Sequence, residues 1–503
     1  MEGLYSKENV YNLESLLFAD KKNNITSFLL MQRAGFCLFK SIPKEDLKHT
    51  FIFIGSGNNG GDGIVCASFL KQFGFDVTVI HLIELDKLQN DAKNAYEIAK
   101  LLDINFEKFN EKKLLKNIKK NDVIVDAIFG IGLSREVKGI YFDAIQLINQ
   151  INNFVVSCDI PSGLCSNTGS VLGKAVMADI TCSFIARKKG LFTEIASDYV
   201  GKFYFNDLQT SAYLSKKIKP SAQLLTEKFI NNQKKERKNS SHKGSMGHVV
   251  IIAGDHAMGG AGLLNAISAL KNGCGKVTLI TRENHVSASL SYCPEVMVKG
   301  FEIDEKSENN KKTKESLKFI LDQSNVILIG SGMDQNLAWS KYFFDYIIDY
   351  KKKNSHKKFV FDAGMLRYIA KNKITKLKNC ILTPHLGEAS ALLNLPTKEI
   401  QVNRFSSIDH LVKKFQAAII LKGKGTMIKG IESKMTYLCP IGNSYLATAG
   451  SGDILAGMVA SFIAQGYELE KAAQTAVWYH ALKADQLVLE GKVPLIASEL
   501  VEN

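Results

Sequence analysis

The sequence of 503 residues lacks any apolar run near the ~20 residues that a membrane-spanning helix needs. Its start has no basic segment followed by an apolar one, so we expect no secretory signal. The nine cysteines stand as singles without a C-x-x-C pair, which favours a reducing compartment over a zinc or disulfide framework. We therefore predict a cytoplasmic protein without a membrane partner.

Acidic residues are also fewer than basic ones, 50 against 64, which gives a formal net charge of +14. The excess lies in Lys-rich runs, among them 112–120 and 351–358. Aromatic residues are not interleaved with these runs and Arg is scarce, so we favour a solvated surface over a nucleic-acid footprint. We predict no nucleic-acid partner, and a module that binds RNA through its basic runs stays as an alternative.

Only eight prolines are present, and the apolar fraction of 46% and charged fraction of 23% are ordinary for a globular protein. This composition excludes a mainly disordered chain, a collagen and a coiled coil. Apolar strand-like runs alternate with helical patterns in two series, from 51 to about 208 and from 248 onwards, which is typical of parallel sheets covered by helices. We predict two α/β domains, 1–225 and 226–503, with 231–247 as the most linker-like segment.

The first series opens with a strand, a glycine loop and a helix, and contains G-x-G-x-x-G at Gly55, Gly57 and Gly60. This motif alone is a weak indication of a dinucleotide site. Asp62 is expected near the helix start, where a carboxylate would repel a docked phosphate. The polar run 58–62 exceeds what a tight turn needs, so we interpret the loop as functional.

Two further acids accompany apolar strands of the first series. Asp126 interrupts one strand, and Asp159 ends another, with Ser162 close behind. Because strand carboxyl ends share one edge of a doubly wound sheet, these residues should converge with the glycine loop. Oxygen groups of Asn59, Asp126 and Ser162 would suit a hard cation rather than zinc or copper, leaving Asp159 for proton transfer. Three unrelated strand-end caps are the alternative.

The motifs GNNGGDG, DAIFGIGLSRE, DIPSGL and ADITCSF closely resemble the NAD(P)H-hydrate epimerase family, over most of 25–208. The resemblance implies a Rossmann-like doubly wound sheet that interconverts the R and S epimers of NADH hydrate and NADPH hydrate, with bound K⁺. It assigns K⁺ to Asn59, Asp126 and Ser162, and Asp159 to the substrate and, as we predict, to acid/base catalysis. Further substrate contacts are implied at Asn58, Asn59, Gly60, Gly61, Asp62, Gly130, Ile131, Gly132, Leu133, Ser134, Arg135 and Glu136.

In the second series, small residues precede a clear apolar helix at 446–466. Backbone amides of 449–452 could meet at the helix N-terminus and form an anion hole for a phosphoryl group. Asp453 follows at once and could accept a proton from an attacking hydroxyl. A tight turn with an acidic first-turn residue is the alternative. His385 and Glu388 stand where a strand passes into a helix, a place more typical of caps than of catalysts.

This region carries the G-x-G-D loop of the ribokinase-like superfamily and, through HKGSMG, GGAG, TPHLGE, KGKGT and ATAGSGDILAG, resembles ADP- or ATP-dependent NAD(P)H-hydrate dehydratases over about 240–490. The resemblance implies a ribokinase-like α/β/α sandwich. It implies hydrate contacts at Ala261, Gly332, His385 and Asp453, with Asp453 catalytic. It implies nucleotide contacts at Lys422, Gly423, Lys424, Gly425, Thr426 and Gly452. Gly364 stands where the family usually has an Asp, so we predict no catalytic role for it.

Together these patterns predict a bifunctional metabolite-repair enzyme, an isomerase fused to a lyase. Hydroxide leaves a ring poorly, and transfer of a phosphoryl group from ADP to the hydroxyl would make a good leaving group, giving AMP and phosphate. Mg²⁺ is left open, and the resemblance implies a homo-oligomer. The alternative is a ribokinase-like vitamin or sugar kinase fused to a non-catalytic Rossmann-like binding domain.

Overall fold

The computed structural model describes residues 2–20, 24–193, 195–210, 213, 217–303 and 309–501. The chain divides into two compact units. The first comprises residues 3–222, and the second comprises residues 223–503 together with the first two residues.

The first unit is built on a parallel sheet of seven strands in the order β4-β3-β2-β5-β6-β7-β9. A short strand, β1, pairs in parallel with β8. The strands are β1 Glu2–Tyr5, β2 His49–Ile54, β3 Asp76–His81, β4 Asn105–Lys108, β5 Val123–Ala127, β6 Phe154–Cys158, β7 Ile180–Phe184, β8 Arg187–Lys188 and β9 Lys202–Asn206.

Helices cover both faces of this sheet, over two separate apolar cores. The helices are α1 Lys7–Ala19, α2 Ser27–Ser41, α3 Asn58–Gln72, α4 Asn90–Leu101, α5 Glu111–Asn117, α6 Ile140–Gln150 and α7 Ser197–Val200. The chain builds outwards from β2 to β4, then returns and builds from β5 to the other edge. Strand order therefore reverses between β2 and β5, and a doubly wound sheet binds ligands beside such a reversal.

The start of the chain contains a strand that local sequence does not reveal. Helices α1 and α2 follow it, and Ser6 caps α1 by accepting a hydrogen bond from the Asn9 amide. The residues before these helices form β1. Leu4 is fully buried there and pairs with Arg187, a contact too distant in sequence for local periodicity to reveal.

The second unit holds strands in the order β13-β12-β11-β14-β15-β16-β17-β18-β19-β10. The strands from β13 to β17 run parallel, and β17, β18 and β19 form antiparallel hairpins, as the sequence predicted for the segment after 417. They are β10 Ala222–Leu224, β11 His248–Ile252, β12 Lys276–Thr281, β13 Met297–Gly300, β14 Val326–Ile329, β15 Lys358–Phe361, β16 Cys380–Leu382, β17 Ala418–Leu421, β18 Met427–Lys429 and β19 Thr436–Leu438.

Helices of the second unit pack on a large apolar core, in which α17 is buried along its length from Ile454 to Ala464. The helices are α8 Glu227–Asn231, α9 Gly259–Lys271, α10 Val286–Tyr292, α11 Asn309–Asp322, α12 Ala338–Lys353, α13 Ala363–Lys371, α14 Leu386–Leu393, α15 Thr397–Val402, α16 Arg404–Phe415, α17 Ser451–Ala464 and α18 Leu469–Leu489. Glycines and other small residues let α9 and α17 approach closely, and Ser268 donates to the Ile454 carbonyl at 2.6 Å.

The segment 231–247, which its polarity marked as linker-like, is tied to the second unit. The Lys235 amide donates to the Tyr467 hydroxyl at 2.9 Å, and the Arg237 guanidinium donates to the Gly273 carbonyl at 2.9 Å. Polar composition here reflects an exposed segment held by hydrogen bonds rather than a free tether. All nine cysteines are unpaired thiols, and among the described residues no helix has the length and apolar character to cross a bilayer.

Candidate active sites

A cavity of about 550 Å³ lies in the first unit, next to the reversal between β2 and β5. Most residues predicted to contact substrate line it, namely Asn58, Asn59, Asp62, Gly130, Ile131, Gly132, Leu133, Ser134, Arg135 and Asp159. Gly60, Gly61 and Glu136 are not among the lining residues. A side-chain carbon on Gly60 would lie 2.3 Å from the Gly55 carbonyl oxygen, so this glycine lets α3 start close against β2.

Asp62 differs from its predicted position at the helix start. Because α3 begins at Asn58, Asp62 is its fifth residue and lies beyond the first turn. The favourable field of a helix N-terminus falls off within that turn. Its carboxyl group lines the cavity without stabilisation by the helix N-terminus.

Asp126 is fully buried and connects the end of β5 to the turn around Ser162. One carboxylate oxygen accepts from the Ser157 hydroxyl at 2.9 Å and the Ser162 amide at 2.8 Å. The other accepts from the Ser162 hydroxyl at 2.5 Å and the Ile128 amide at 3.2 Å. Burial raises the pKa of Asp126, and these four donors oppose the rise.

The loop after β5 brings Asn59 into the same region. A side-chain carbon on Gly130 would lie 3.1 Å from Asn59 Oδ1, and the neighbouring Phe129 amide donates to the Ser162 hydroxyl at 2.8 Å. Asn59 is buried, and its Nδ2 has no hydrogen-bond acceptor in the part of the chain that the structure describes. The loop after β5 thus lies against Asn59 of α3 and forms a hydrogen bond with Ser162, which in turn contacts Asp126.

Asp159 follows β6 in a left-handed conformation, with φ of 62°. Its Oδ1 accepts from the Ser183 hydroxyl at 3.2 Å and the Phe184 amide at 3.1 Å, and it forms a buried ion pair with Lys188. Sequence reasoning missed Lys188. The run of two lysines at 188–189 carried the signal, but nothing local shows which of the two is buried.

Helix α1 also contributes to the cavity, through Tyr11 and Glu14, and no motif pointed to either. The two residues lie one turn apart on α1, and only the packing of this helix against the sheet brings them to the cavity. Burial raises the pKa of the Glu14 carboxyl, opposed by Lys188 and reinforced by Asp159.

The second unit collects its acids around Lys422, just after β17. The ammonium of Lys422 lies 3.1 Å from Asp362 Oδ1 and 3.8 Å from Glu388 Oε2. Burial acts to lower the pKa of Lys422, and the two carboxylates outweigh it and raise the pKa. A side-chain carbon on Gly452 would lie 3.5 Å from the same ammonium, so Lys422 stands beside the N-terminus of α17.

Asp453 lies in the first turn of α17, after Gly450 has turned the chain with a φ of 88°. Burial and the charge of Asp362 raise its pKa to about 7, while Ser331 and Lys422 act in the opposite direction. Asn265 of α9 donates to the Asp453 carbonyl at 2.7 Å and fixes the turn. A carboxyl that titrates near neutrality is suited to take up and release a proton.

The other predicted hydrate contacts lie at neighbouring loops. A side-chain carbon on Gly332 would lie 2.9 Å from the Ala261 Cβ, so these two residues adjoin. His385 caps α14, because its Nδ1 accepts from the Gly387 amide at 2.9 Å while Glu388 accepts from the His385 amide at 2.9 Å. The predicted cap is therefore present, and Glu388 also reaches Lys422.

Of the residues predicted to contact the nucleotide, Lys422 to Thr426 form the turn between β17 and β18, and Gly452 lies at the start of α17. Arg404, buried at the start of α16, donates to the carbonyls of Leu421, Lys422 and Lys424 and shapes this turn. Thr426 donates to the Gly423 carbonyl at 2.7 Å. A side-chain carbon on Gly364 would lie 2.0 Å from the Met333 carbonyl oxygen, so only glycine fits there.

Comparison with known proteins gives a different family model for each of the two units. The family model described as NAD(P)H-hydrate dehydratase matches residues 249–503, and the model described as YjeF-related protein N-terminus matches residues 27–190. The bifunctional NAD(P)H-hydrate repair enzyme Nnr of Coxiella burnetii is 35% identical over 99% of this chain and 98% of its own length. The chain belongs to the family of bifunctional NAD(P)H-hydrate repair enzymes.

Other relatives agree with this assignment. The enzyme of the same description from Escherichia coli K12 is 32% identical over 95% of this chain and 88% of its own length. A ribokinase-like superfamily protein from Enterococcus faecalis V583 shares the fold, with 24% identity and a TM-score of 0.50 over 56% of this chain and 94% of that one. The predicted family, fold class and enzyme class are confirmed, and the kinase fused to a non-catalytic domain is not favoured.

Proposed function

We propose that this repair enzyme epimerises the R and S hydrates of NADH and NADPH in a domain spanning 1–225 and dehydrates the S hydrate in a domain spanning 226–503. One observation carries the second activity. Asp453, with a pKa near 7, stands at a helix N-terminus beside the buried ammonium of Lys422. This arrangement supplies both a proton acceptor and positive charge for phosphoryl transfer.

The dehydration starts from a hydroxyl that is a poor leaving group. Asp453 accepts the hydroxyl proton as the oxygen attacks the terminal phosphoryl group of ADP, and AMP leaves. Backbone amides at the start of α17 and the Lys422 ammonium stabilise the charge that develops on the phosphoryl oxygens. Loss of phosphate from the ring, together with a proton from the adjacent ring carbon, then restores the double bond of NADH or NADPH.

Ligand contacts in this domain follow the family motif. The hydrate is held by Ala261, Gly332, His385 and Asp453, and the nucleotide by Gly452 and the turn 422–426. Mg²⁺ would be bound chiefly through the phosphate oxygens of the nucleotide, because this ion usually takes few ligands from the protein. The free thiols support a cytoplasmic location, and the family resemblance supports a homo-oligomer.

In the epimerase domain, K⁺ would be held by Asn59, Asp126 and Ser162. The donor set fits this ion, because it offers amide, carboxylate and hydroxyl oxygens, and the groups that donate hydrogen bonds to the buried Asp126 from the described residues are all neutral. Bound K⁺ would balance the Asp126 charge and join the loop after β5 to the turn at Ser162. Exchange of K⁺ for Li⁺ should weaken epimerisation alone, and an unchanged epimerisation rate would contradict the cation site.

The experiment that tests the two activities mixes the protein with both epimers of NADH hydrate. Recovery of NADH is followed by absorbance with ADP, with ATP and with neither. We expect complete recovery with ADP, because epimerisation feeds the S form to the dehydratase. Recovery that stops near half would remove the epimerase activity, and no recovery with either nucleotide would remove the dehydratase activity.

Two matched variants divide the work between the domains. Asp159→Asn should abolish epimerisation and leave ADP-dependent dehydration of the S form, because Asp159 is the acid/base in the first cavity. Asp453→Asn should abolish ADP-dependent dehydration and leave epimerisation intact. Loss of both activities in either folded variant would show that the two-site assignment is wrong.

A further inference from the structure

The epimerase cavity gathers three carboxyl groups that the chain supplies from separate elements. Glu14 comes from α1, Asp62 from α3, and Asp159 from the end of β6. Lys188 forms its ion pair with Asp159, while Arg135 lies on the exposed rim. Three acids therefore share one buried ammonium, and they cannot all be ionised without strong repulsion.

The surroundings of Asp62 and Asp159 differ sharply. An ammonium, a hydroxyl and a backbone amide all donate to Asp159. Among the described residues, no group forms a hydrogen bond or ion pair with the Asp62 side chain, which faces the cavity. Asp62 also lies past the first turn of α3, where the helix N-terminus no longer stabilises a charge.

The charged groups around Asp62 favour its protonated form. Burial is the largest cause that raises the pKa of Asp62 well above its usual value, followed by the charges of Asp159 and Glu14, with Lys188 acting against them. Another titratable neighbour is the buried Cys158 thiol, whose own pKa is raised by burial and by Asp62, and the Tyr11 phenol of α1 also lines the cavity. Burial and the neighbouring carboxyl groups thus favour the protonated form of Asp62, while Asp159 is held in an ion pair.

Epimerisation needs one group that donates a proton and another that accepts a proton. Water adds to an enamine so that the hydroxyl is bonded to the carbon next to nitrogen, and this carbon must be inverted. When the carbon–oxygen bond breaks, the ring nitrogen donates its electron pair to form a carbon–nitrogen double bond. The departing oxygen must gain a proton to leave as water, and the water that adds to the opposite face must lose one.

We propose that Asp62 is the proton donor of the epimerase, giving its carboxyl proton to the departing ring hydroxyl, and that Asp159 accepts the proton from the water that adds to the other face. One carbon–oxygen bond breaks and one forms, and the proton lost by Asp62 equals the proton gained by Asp159. The reverse epimerisation exchanges the two roles. This inference rests on the proposed epimerase activity.

The first test is Asp62→Asn, which keeps the size of the side chain and removes its transferable proton. Epimer interconversion is followed chromatographically at pH 7, without nucleotide, and dehydration of the pure S form is measured separately. We expect kcat for epimerisation to fall by about 100-fold or more, with KM within a few-fold and dehydration unchanged. Asp62→Glu should recover part of the rate, because it restores the proton.

A second test uses Glu14→Gln, which removes a neighbouring negative charge and leaves Asp62 in place. The pKa of Asp62 should fall, so the alkaline limb of the epimerisation profile should move to lower pH. In H₂¹⁸O, the unmodified protein should place ¹⁸O in the hydrate with each inversion, and Asp62→Asn should slow inversion and ¹⁸O uptake together.

Three results would overturn the proposal. One is an Asp62→Asn protein whose kcat is within threefold of the unmodified enzyme or whose loss is confined to KM, since Asp62 would then only bind substrate. Another is inversion without ¹⁸O uptake, and the third is an alkaline limb that Glu14→Gln does not move. Failure of the proposed function itself is distinct, because the unmodified protein would then not interconvert the epimers.

Discussion

The two candidate active sites use a similar set of groups in different ways. In each, a buried lysine pairs with an aspartate that follows a strand, Asp159 with Lys188 and Asp362 with Lys422. In each, a second aspartate stands on the helix after a glycine loop, Asp62 in α3 and Asp453 in α17. In both sites the lysine holds one carboxylate, and the second aspartate is the group that we propose exchanges protons.

The difference lies in where the second aspartate stands relative to positive charge. Asp453 is in the first turn of its helix, and Lys422 is adjacent to the same N-terminus. Asp62 is two residues further along its own helix, beyond the first turn and among carboxyl groups. Transfer of a phosphoryl anion requires positive charge beside the base, whereas inversion of a neutral ring carbon requires a proton donor. A lysine–aspartate pair therefore accompanies both proposed reactions, and the position of the second aspartate along its helix distinguishes the two sites.

The largest expected effect comes from removing the lysine of the second site. Lys422→Met leaves Asp362 and Glu388 buried without their cation and deprives the phosphoryl group of an ammonium. We expect dehydration to fall by about 10²–10³-fold with epimerisation intact, measured in separate assays. Lys352→Met, at a highly exposed surface pair, is the control and should change neither. A loss of less than threefold for Lys422→Met would break the comparison.

A smaller effect should appear in the pH profile of dehydration. Asp453 acts as a base in its ionised form, so kcat/KM should rise with pH around a midpoint near 7, where its pKa lies. Asp362→Asn removes the charge that raises this pKa, so the midpoint should move to lower pH. Ser331→Ala removes a donor that lowers the pKa, so the midpoint should move to higher pH.

Each profile is compared after scaling to its own maximum, which separates the midpoint from any loss of rate. The epimerisation profile of the same proteins is the control and should not move. Shifts of the two variants in the same direction would contradict the assignment of Asp453 as the titrating group.

The smallest effect concerns the support of Asp453 from α9. Asn265→Ala removes the hydrogen bond to the Asp453 carbonyl, so the free energy of unfolding of the second unit should drop by about 1 kcal/mol and dehydration should fall a few-fold. Asn272→Ala, at the C-cap of the same helix, removes a hydrogen bond to the Ser268 carbonyl of α9 and should destabilise the unit with less loss of dehydration. Thermal unfolding and dehydration rates check both, and equal losses of rate would remove the positioning role of Asn265.

Much of the fold was predictable because its signals are local. Buried parallel strands form short apolar runs, and the glycine loops after β2 and before α17 have few structural explanations, so both α/β units and most cavity-lining residues followed from the sequence. Boundary segments were less predictable. Residues before α1 form β1, and the polar segment 231–247 is held on the second unit, because distant partners decide both outcomes.

The sequence by itself determined the family, the two α/β domains and the motif residues to which the proposed chemistry is assigned, since these depend on residue types at fixed spacing. Only the tertiary structure decided that Lys188 is the buried lysine, that Glu14 of α1 reaches the cavity, and that Asp362 and Lys422 surround Asp453. The physical reason is that ionisation depends on burial and on charges that folding brings together from distant elements. The sequence therefore identifies the acidic residues of the motifs, and the folded structure decides in which direction the pKa of each is shifted.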